Sequence, residues 1–215
     1  MIFATKILAS AILLVLIAPA QANYFAEAEP NDTLAQAQSM DSYFSLNYDA
    51  DIGDSNGVNT STTMSHASVL ATGNGTYDYY SFTLSNAGTV ILDIDYGMPG
   101  YDSEIGLWKA DGTYITENDD YAPFATVGAD GSEHNYDAFI QTTLQAGSYI
   151  VGVARFSSNG ANGGWNATTS NVVQTGADYT LHASVGAVPE AETYAMMLAG
   201  LGLVGFAASR RKLAK

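Results

Sequence analysis

Acidic side chains carry most of the chemistry open to this sequence. Near the start of its polar body the chain reads Glu27-Ala28-Glu29-Pro30-Asn31-Asp32-Thr33. In an extended segment alternate residues share a face, so Glu27, Glu29 and Asn31 would present their oxygens together. Carboxylate and amide oxygens are the donors that Ca²⁺ gathers, about six to eight at a time. The same residues also suit a tight turn at Glu29–Asp32 leading into a short helical turn. Asn31 or Asp32 would cap that turn, and Ala35, Gln36, Ala37 and Gln38 would form it. Both readings stand at this point.

Asp102, Asn118, Asp119, Asp120 and Asp137 make a second acidic set. Asp119 and Asp120 end a hairpin strand; they either meet Asp102 or Asp137 at one rim or stay as solvated hairpin acids. Asp49-Ala-Asp51-Ile-Gly-Asp54-Ser-Asn56-Gly57 has the composition of a calcium loop but not its spacing. The position twelfth from Asp49 is Thr60 rather than a bidentate Glu, so it reads as an acidic turn. Gly53-Asp54-Ser55-Asn56-Gly57 is formally GxSxG, which needs a strand before it and a helix directly after. Val58–Met64, full of Asn, Thr and Ser, is a poor helix. The three imidazoles are His66, His134 and His182. His182 falls in an alternating strand, where a structural place is expected. The body holds no HExxH, CxxC or phosphate loop, and the expectation is a protein without a catalytic centre. Trp108 and Trp165, the latter in the loop Gly163–Asn166, could stack on sugar rings. A carbohydrate-binding module of the extracellular polysaccharide is therefore the alternative function, and a secreted hydrolase ranks behind it.

The two ends of the chain speak of transport. Lys6, an apolar run Ile7–Pro19 and Ala20-Gln21-Ala22 form a secretory signal peptide, with cleavage expected after Ala22. At the other end come Val188-Pro189-Glu190, the uncharged segment Ala195–Ala208, and Ser209-Arg210-Arg211-Lys212. This order of short motif, apolar segment and basic end resembles the PEP-CTERM sorting signal of Gram-negative bacteria, with Ala191 where a second Pro would stand. The resemblance implies export and a transient hold in the inner membrane on a short transmembrane helix. Cleavage by a membrane-bound sorting protease of the exosortase type would follow, with the cell envelope or extracellular space as destination. Gly200-Leu-Gly202-Leu-Val-Gly205 matches GxGxxG but has no βαβ unit around it. Small residues in a membrane helix account for it.

The chain has 215 residues, 22 acidic and 7 basic, for a net charge of −15. The body between the sorting segments, residues 23–187, retains 20 acids against Lys109 and Arg155, about −18. Such a field repels nucleic acid and anionic lipid; it suits divalent cations, or simply solubility at high ionic strength. With no cysteine the body has no disulfide staple, though at this length it can bury an adequate core.

Whatever these residues do, strands must position them. Short alternating runs rich in Tyr, Val, Ile, Thr and Phe predict strands near Phe44–Tyr48, Ser68–Ala71, Tyr79–Leu84, Thr89–Asp95, Glu104–Lys109, Tyr114–Glu117, Ala138–Leu144, Tyr149–Arg155 and Tyr179–Val185. Asp111-Gly112 between two of them is a hairpin signal. Gly53–Ser65 and Ser157–Gly176 read as surface loops. The predicted fold is all-β, one antiparallel sandwich flanked by an N-terminal signal helix and a C-terminal hydrophobic helix. The domains are 1–22, 23–187 and 188–215.

The body also carries an ordered set of motifs. Glu29-Pro30-Asn31-Asp32-Thr33 comes first, followed by Asp78-Tyr79-Tyr80-Ser81-Phe82, Leu107-Trp108-Lys109-Ala110-Asp111-Gly112 and Asn118-Asp119-Asp120. Leu144-Gln145-Ala146-Gly147-Ser148-Tyr149 and Asp178-Tyr179-Thr180-Leu181 close the series. As a set, across residues 27–185, they resemble the bacterial pre-peptidase C-terminal domain. That resemblance implies a sandwich of jelly-roll type and a non-catalytic surface or extracellular-matrix module. It also implies a calcium ion held by Glu27, Glu29, Asn31, Asp32 and Asp78. The loop before Asp78, Gly73–Tyr77, departs from the family in having no acid.

Overall fold

Alternation along the body becomes strands wherever one side chain in two has a core to enter. The computed structural model describes residues 24–53, 59–95, 101–120, 134 and 136–187. In chain order these form β1 (Tyr24–Ala26), a 3₁₀ turn at Leu34–Gln36, β2 (Gln38–Ser39), β3 (Ser65–Thr72), β4 (Asp78–Leu84), β5 (Gly88–Asp95) and β6 (Ser103–Lys109). β7 (Tyr114–Asn118), β8 (Phe139–Leu144), β9 (Gly147–Arg155), β10 (Gly160–Ala161), β11 (Gly164–Trp165) and β12 (Asp178–Ala187) follow. The segments expected to form the two terminal helices, and Ser55, lie outside the described residues.

Two five-stranded sheets face each other, ordered β1-β3-β12-β5-β8 and β2-β4-β9-β6-β7. Val69, Leu92, Ile94 and Leu181 from the first meet Phe82, Ile105, Leu107, Val151 and Val153 from the second in one continuous core. The sandwich is mixed rather than wholly antiparallel. β1 pairs with β3, and β2 with β4, in parallel. Both short strands belong to the segment that leaves the edge of one sheet and arrives at the edge of the other. Each runs along an edge strand and covers polar groups that would otherwise be exposed.

Eight of the nine expected strands are present, with no end moved by more than three residues. The exception is Phe44–Tyr48, where the described contact is a single bridge between Ser45 and His66. The helical turn forms as a 3₁₀ turn whose N-cap is Thr33, not Asn31 or Asp32, and it has no side-chain capping bond. The Asp-Gly hairpin is as expected: Gly112 has φ 85° and donates to Lys109 O. Within the expected loop 157–176, β10 and β11 form a small hairpin that lies over the outer face of the second sheet.

That hairpin removes the two tryptophans from the surface. Trp108 is 0% and Trp165 7% exposed. Their rings meet edge to face at 5.2 Å, and Trp108 Nε1 donates to Ala161 O at 2.7 Å. Gly106 and Gly152, paired across β6 and β9, make the floor on which the Trp108 ring lies. A Cβ at Gly152 would come within 2.9 Å of that ring, which is why glycine occurs here in strand interiors. The expected stacking platform at Trp108 and Trp165 is thus a second hydrophobic cluster, with no ring face open to a sugar.

Candidate metal centre

The segment that crosses from the first sheet to the second carries the opening acidic motif. Its backbone is tied to both sheets: Glu27 N donates to Leu70 O on β3, and Tyr79 N on β4 donates to Asn31 O. Between these anchors, donor oxygens of Glu27, Glu29 and Asp78 all lie within 4.8 Å of one another. Asn31 and Asp78 are fully buried, Glu27 and Asp32 partly, and Glu29 is exposed. The structure therefore brings together Glu27, Glu29 and Asp78 and places Asn31 directly against them.

The side chains are held from behind. Asn31 Nδ2 donates to Glu27 Oε1 at 3.0 Å, and Asn31 N donates to Glu29 Oε2 at 2.9 Å. Thr72 N donates to Glu27 Oε2, and Asn74 Nδ2 to Glu29 Oε1. Asn74 thus brings a polar group from the loop that has no acid. Three acceptors remain buried with no hydrogen bond: Asn31 Oδ1, Asp32 Oδ1 and Asp78 Oδ1. Buried oxygens of this kind are costly to leave unpaired.

Two core tyrosines complete the site. Tyr80 OH donates to Glu27 Oε1, Tyr179 OH lies 2.7 Å from Asp78 Oδ2, and the two hydroxyls are 2.8 Å apart. In this chain Tyr179 OH donates to Asp78 Oδ2. Burial, and then the charges of Glu27, Glu29 and Asp32, push the Asp78 carboxyl up to about 8. Burial and the charges of Glu27 and Asp78 drive Tyr80 well above the usual phenol range, and burial, Tyr80, Asp78 and Glu27 do the same to Tyr179. The site has one property throughout, an excess of negative oxygen over anything that neutralises it.

The second acidic set assembles only in part. Asp102 is raised first by burial and then by Asp119; Asp120 is raised by burial, Asp119 and Asp102. These three therefore share one rim. Asp137 is buried and accepts from His134 N at 3.0 Å. Among the described residues, the carboxylates of this set supply no three oxygens within 4.8 Å of one another. Sequence reasoning missed another group. The acidic turn at Asp49–Asp51 folds onto His66 and His182, with Asp49 Oδ2 3.5 Å from His66 Nε2. Burial would lower the His182 imidazole, but Asp51, Asp95 and Asp93 carry it up to about 10. The available signal was that His66, His182, Asp93 and Asp95 fall on the polar phase of alternating strands.

Val188, Pro189, Glu190, Arg210 and Arg211 lie outside the described residues. No curated protein matches the chain in sequence. Among solved structures, the pre-peptidase C-terminal domain of collagenase from Bacillus anthracis is similar to it, with 15% identity and a TM-score of 0.32. The likeness covers 56% of this chain and 86% of that domain. Residues 187–212 match the PEP-CTERM protein-sorting motif and begin where β12 ends. This is an exported protein that carries a PEP-CTERM signal, is anchored transiently in the membrane, is processed by exosortase-type sorting machinery and is delivered to the cell envelope or beyond.

Proposed function

We propose that the mature protein, residues 23–187, is a non-catalytic surface or extracellular-matrix module stabilised by Ca²⁺ at Glu27, Glu29, Asn31, Asp32 and Asp78. The observation that carries this reading is the set of three buried, unpaired acceptor oxygens beside clustered carboxylates, on a segment tied to both sheets. Every donor is an oxygen, and carboxylate and amide oxygens mixed in this way are what Ca²⁺ selects. Calcium there would join the sheets at one edge and offset part of the body's charge of about −18. A chain without disulfides, working outside the cell, gains from such a clamp. Polysaccharide of the matrix is the surrounding in which the module would sit; burial of both tryptophans speaks against sugar stacking as its mode of contact.

Calorimetric titration of the exported, chelator-treated protein with Ca²⁺ tests the proposal. One equivalent is expected to bind at ~0.1–1 mM, and Glu29→Ala is expected to weaken it by more than tenfold. No heat and no retained calcium would overturn it.

A further inference from the structure

The outer face of the first sheet should meet water, yet it is polar and buried. His66 and Ser68 on β3, His182 and Ser184 on β12, and Asp93 and Asp95 on β5 alternate with core residues and point away from the core. Across the strands His182 is in register with Ser68 on one side and Asp93 on the other, and its neighbour Thr180 with Asp95. The segment around Ser45–Asp51 covers this face. It is pinned by the Ser45–His66 bridge and by Tyr24 OH, which donates to Asp49 Oδ1 at 3.1 Å and Asp51 Oδ2 at 2.9 Å.

His182 is 2% exposed, and its two ring nitrogens are treated differently. Nδ1 lies 2.7 Å from Ser68 Oγ. Nε2 is aimed between two carboxylates and pairs with both, 3.1 Å from Asp95 Oδ2 and 3.5 Å from Asp51 Oδ2. All three donor atoms lie within 4.8 Å of one another. Ligands about 2.0–2.1 Å from a tetrahedral Zn²⁺ stand about 3.3 Å apart, so both measured separations fall at that spacing. A metal-ligating imidazole usually has its other nitrogen engaged by a neighbour, the part Ser68 fills here. Charge points the same way. Asp49, Asp51, Asp93 and Asp95 exceed His66 and His182 in number, so even two imidazolium ions leave a negative balance in a buried place.

We propose that Asp51, Asp95 and His182 form a second metal site, one that takes a divalent transition ion of the Zn²⁺ class and clamps the Asp49–Asp51 turn onto the sheet. An imidazole with two carboxylates is a borderline set that suits Zn²⁺ over Ca²⁺. Three protein ligands leave a fourth position open. The Asp51 side chain is 22% exposed, which leaves the ion a path from solvent. Ser68, and Tyr24 acting on Asp51, are positioning residues. The site shares no ligand with the proposed calcium centre, and failure of one leaves the other standing.

The test uses the exported protein, stripped with chelator and titrated with Zn²⁺ in the presence of excess Ca²⁺, then with Co²⁺ as a spectroscopic substitute. One equivalent of Zn²⁺ is expected to bind despite the calcium, and Co²⁺ to give the intense visible bands of a tetrahedral site. Asp51→Asn, partly exposed and close in size, preserves the fold and is expected to weaken Zn²⁺ at least tenfold and to abolish those bands. His182→Gln tests the nitrogen ligand in the same way. Zn²⁺ displaced by Ca²⁺, or Asp51→Asn binding as tightly as the natural protein, would overturn the proposal.

Discussion

Replacing Asp78 with Asn is expected to stabilise the metal-free protein while removing its response to calcium. The folded carboxyl is held at about 8 against 3.8 for an unperturbed Asp. At pH 7 the folded state therefore keeps a proton that the unfolded chain releases. About three units at 1.36 kcal/mol each come to about 4 kcal/mol set against folding. Water reaching the cluster past exposed Glu29 lowers this, and we take about 2 kcal/mol. Asparagine has no charge to desolvate and keeps an oxygen for Tyr179. For a body of this size, 2 kcal/mol corresponds to about 4–8 °C in melting temperature. The pH dependence has a definite sign. A carboxyl raised on folding stabilises fully only at low pH, so between pH 5 and 8 the chelated natural protein loses stability as pH rises. Asp78→Asn loses that slope. Addition of 10 mM Ca²⁺, at the ~0.1–1 mM affinity of extracellular modules, is expected to stabilise the natural protein by about 1.4–2.7 kcal/mol and the variant by nothing. Thermal melts in chelator and in calcium, at several pH values, read all of this. A variant that melts below the natural protein in chelator, keeps its pH slope and still responds to calcium would refute the reasoning.

Three further outcomes are expected. Mass spectrometry of the envelope or secreted fraction is expected to find a peptide beginning at Asn23; intact Met1 protein confined to the cytoplasm would contradict signal cleavage. The mature extracellular protein is expected to lack Ala195–Ala208, and deletion of Arg210–Lys215 to disturb its retention and maturation, both readable by fractionation and mass. Trp108→Ala is expected to cost about 3–5 kcal/mol of stability, because it empties the cluster shared with Tyr79, Ile150 and Trp165; denaturant melts measure it, and a stable variant that merely loses glycan binding would restore the stacking idea.

Period-two patterns in runs such as Tyr80–Leu84 and Tyr149–Val153 determined the strands, because alternation is a local consequence of one buried face. The Asp-Gly hairpin and the opening acidic motif were legible for the same reason: a turn conformation and a set of alternate carboxylates are properties of a few adjacent residues. The C-terminal sorting signal was legible too, since its order along the chain is itself the signal. Tertiary structure alone decided the rest. Which edge β1 and β2 would cover depended on where the chain crossed between sheets. Whether Trp165 faced sugar or protein depended on the β10–β11 hairpin folding back over Gly106 and Gly152. Asp78 joined the opening motif in space because β4 sits beside the crossing segment. Asp51, Asp95 and His182 lie far apart in sequence. Strand register and one covering turn bring them together, and neither leaves a local trace in residue order.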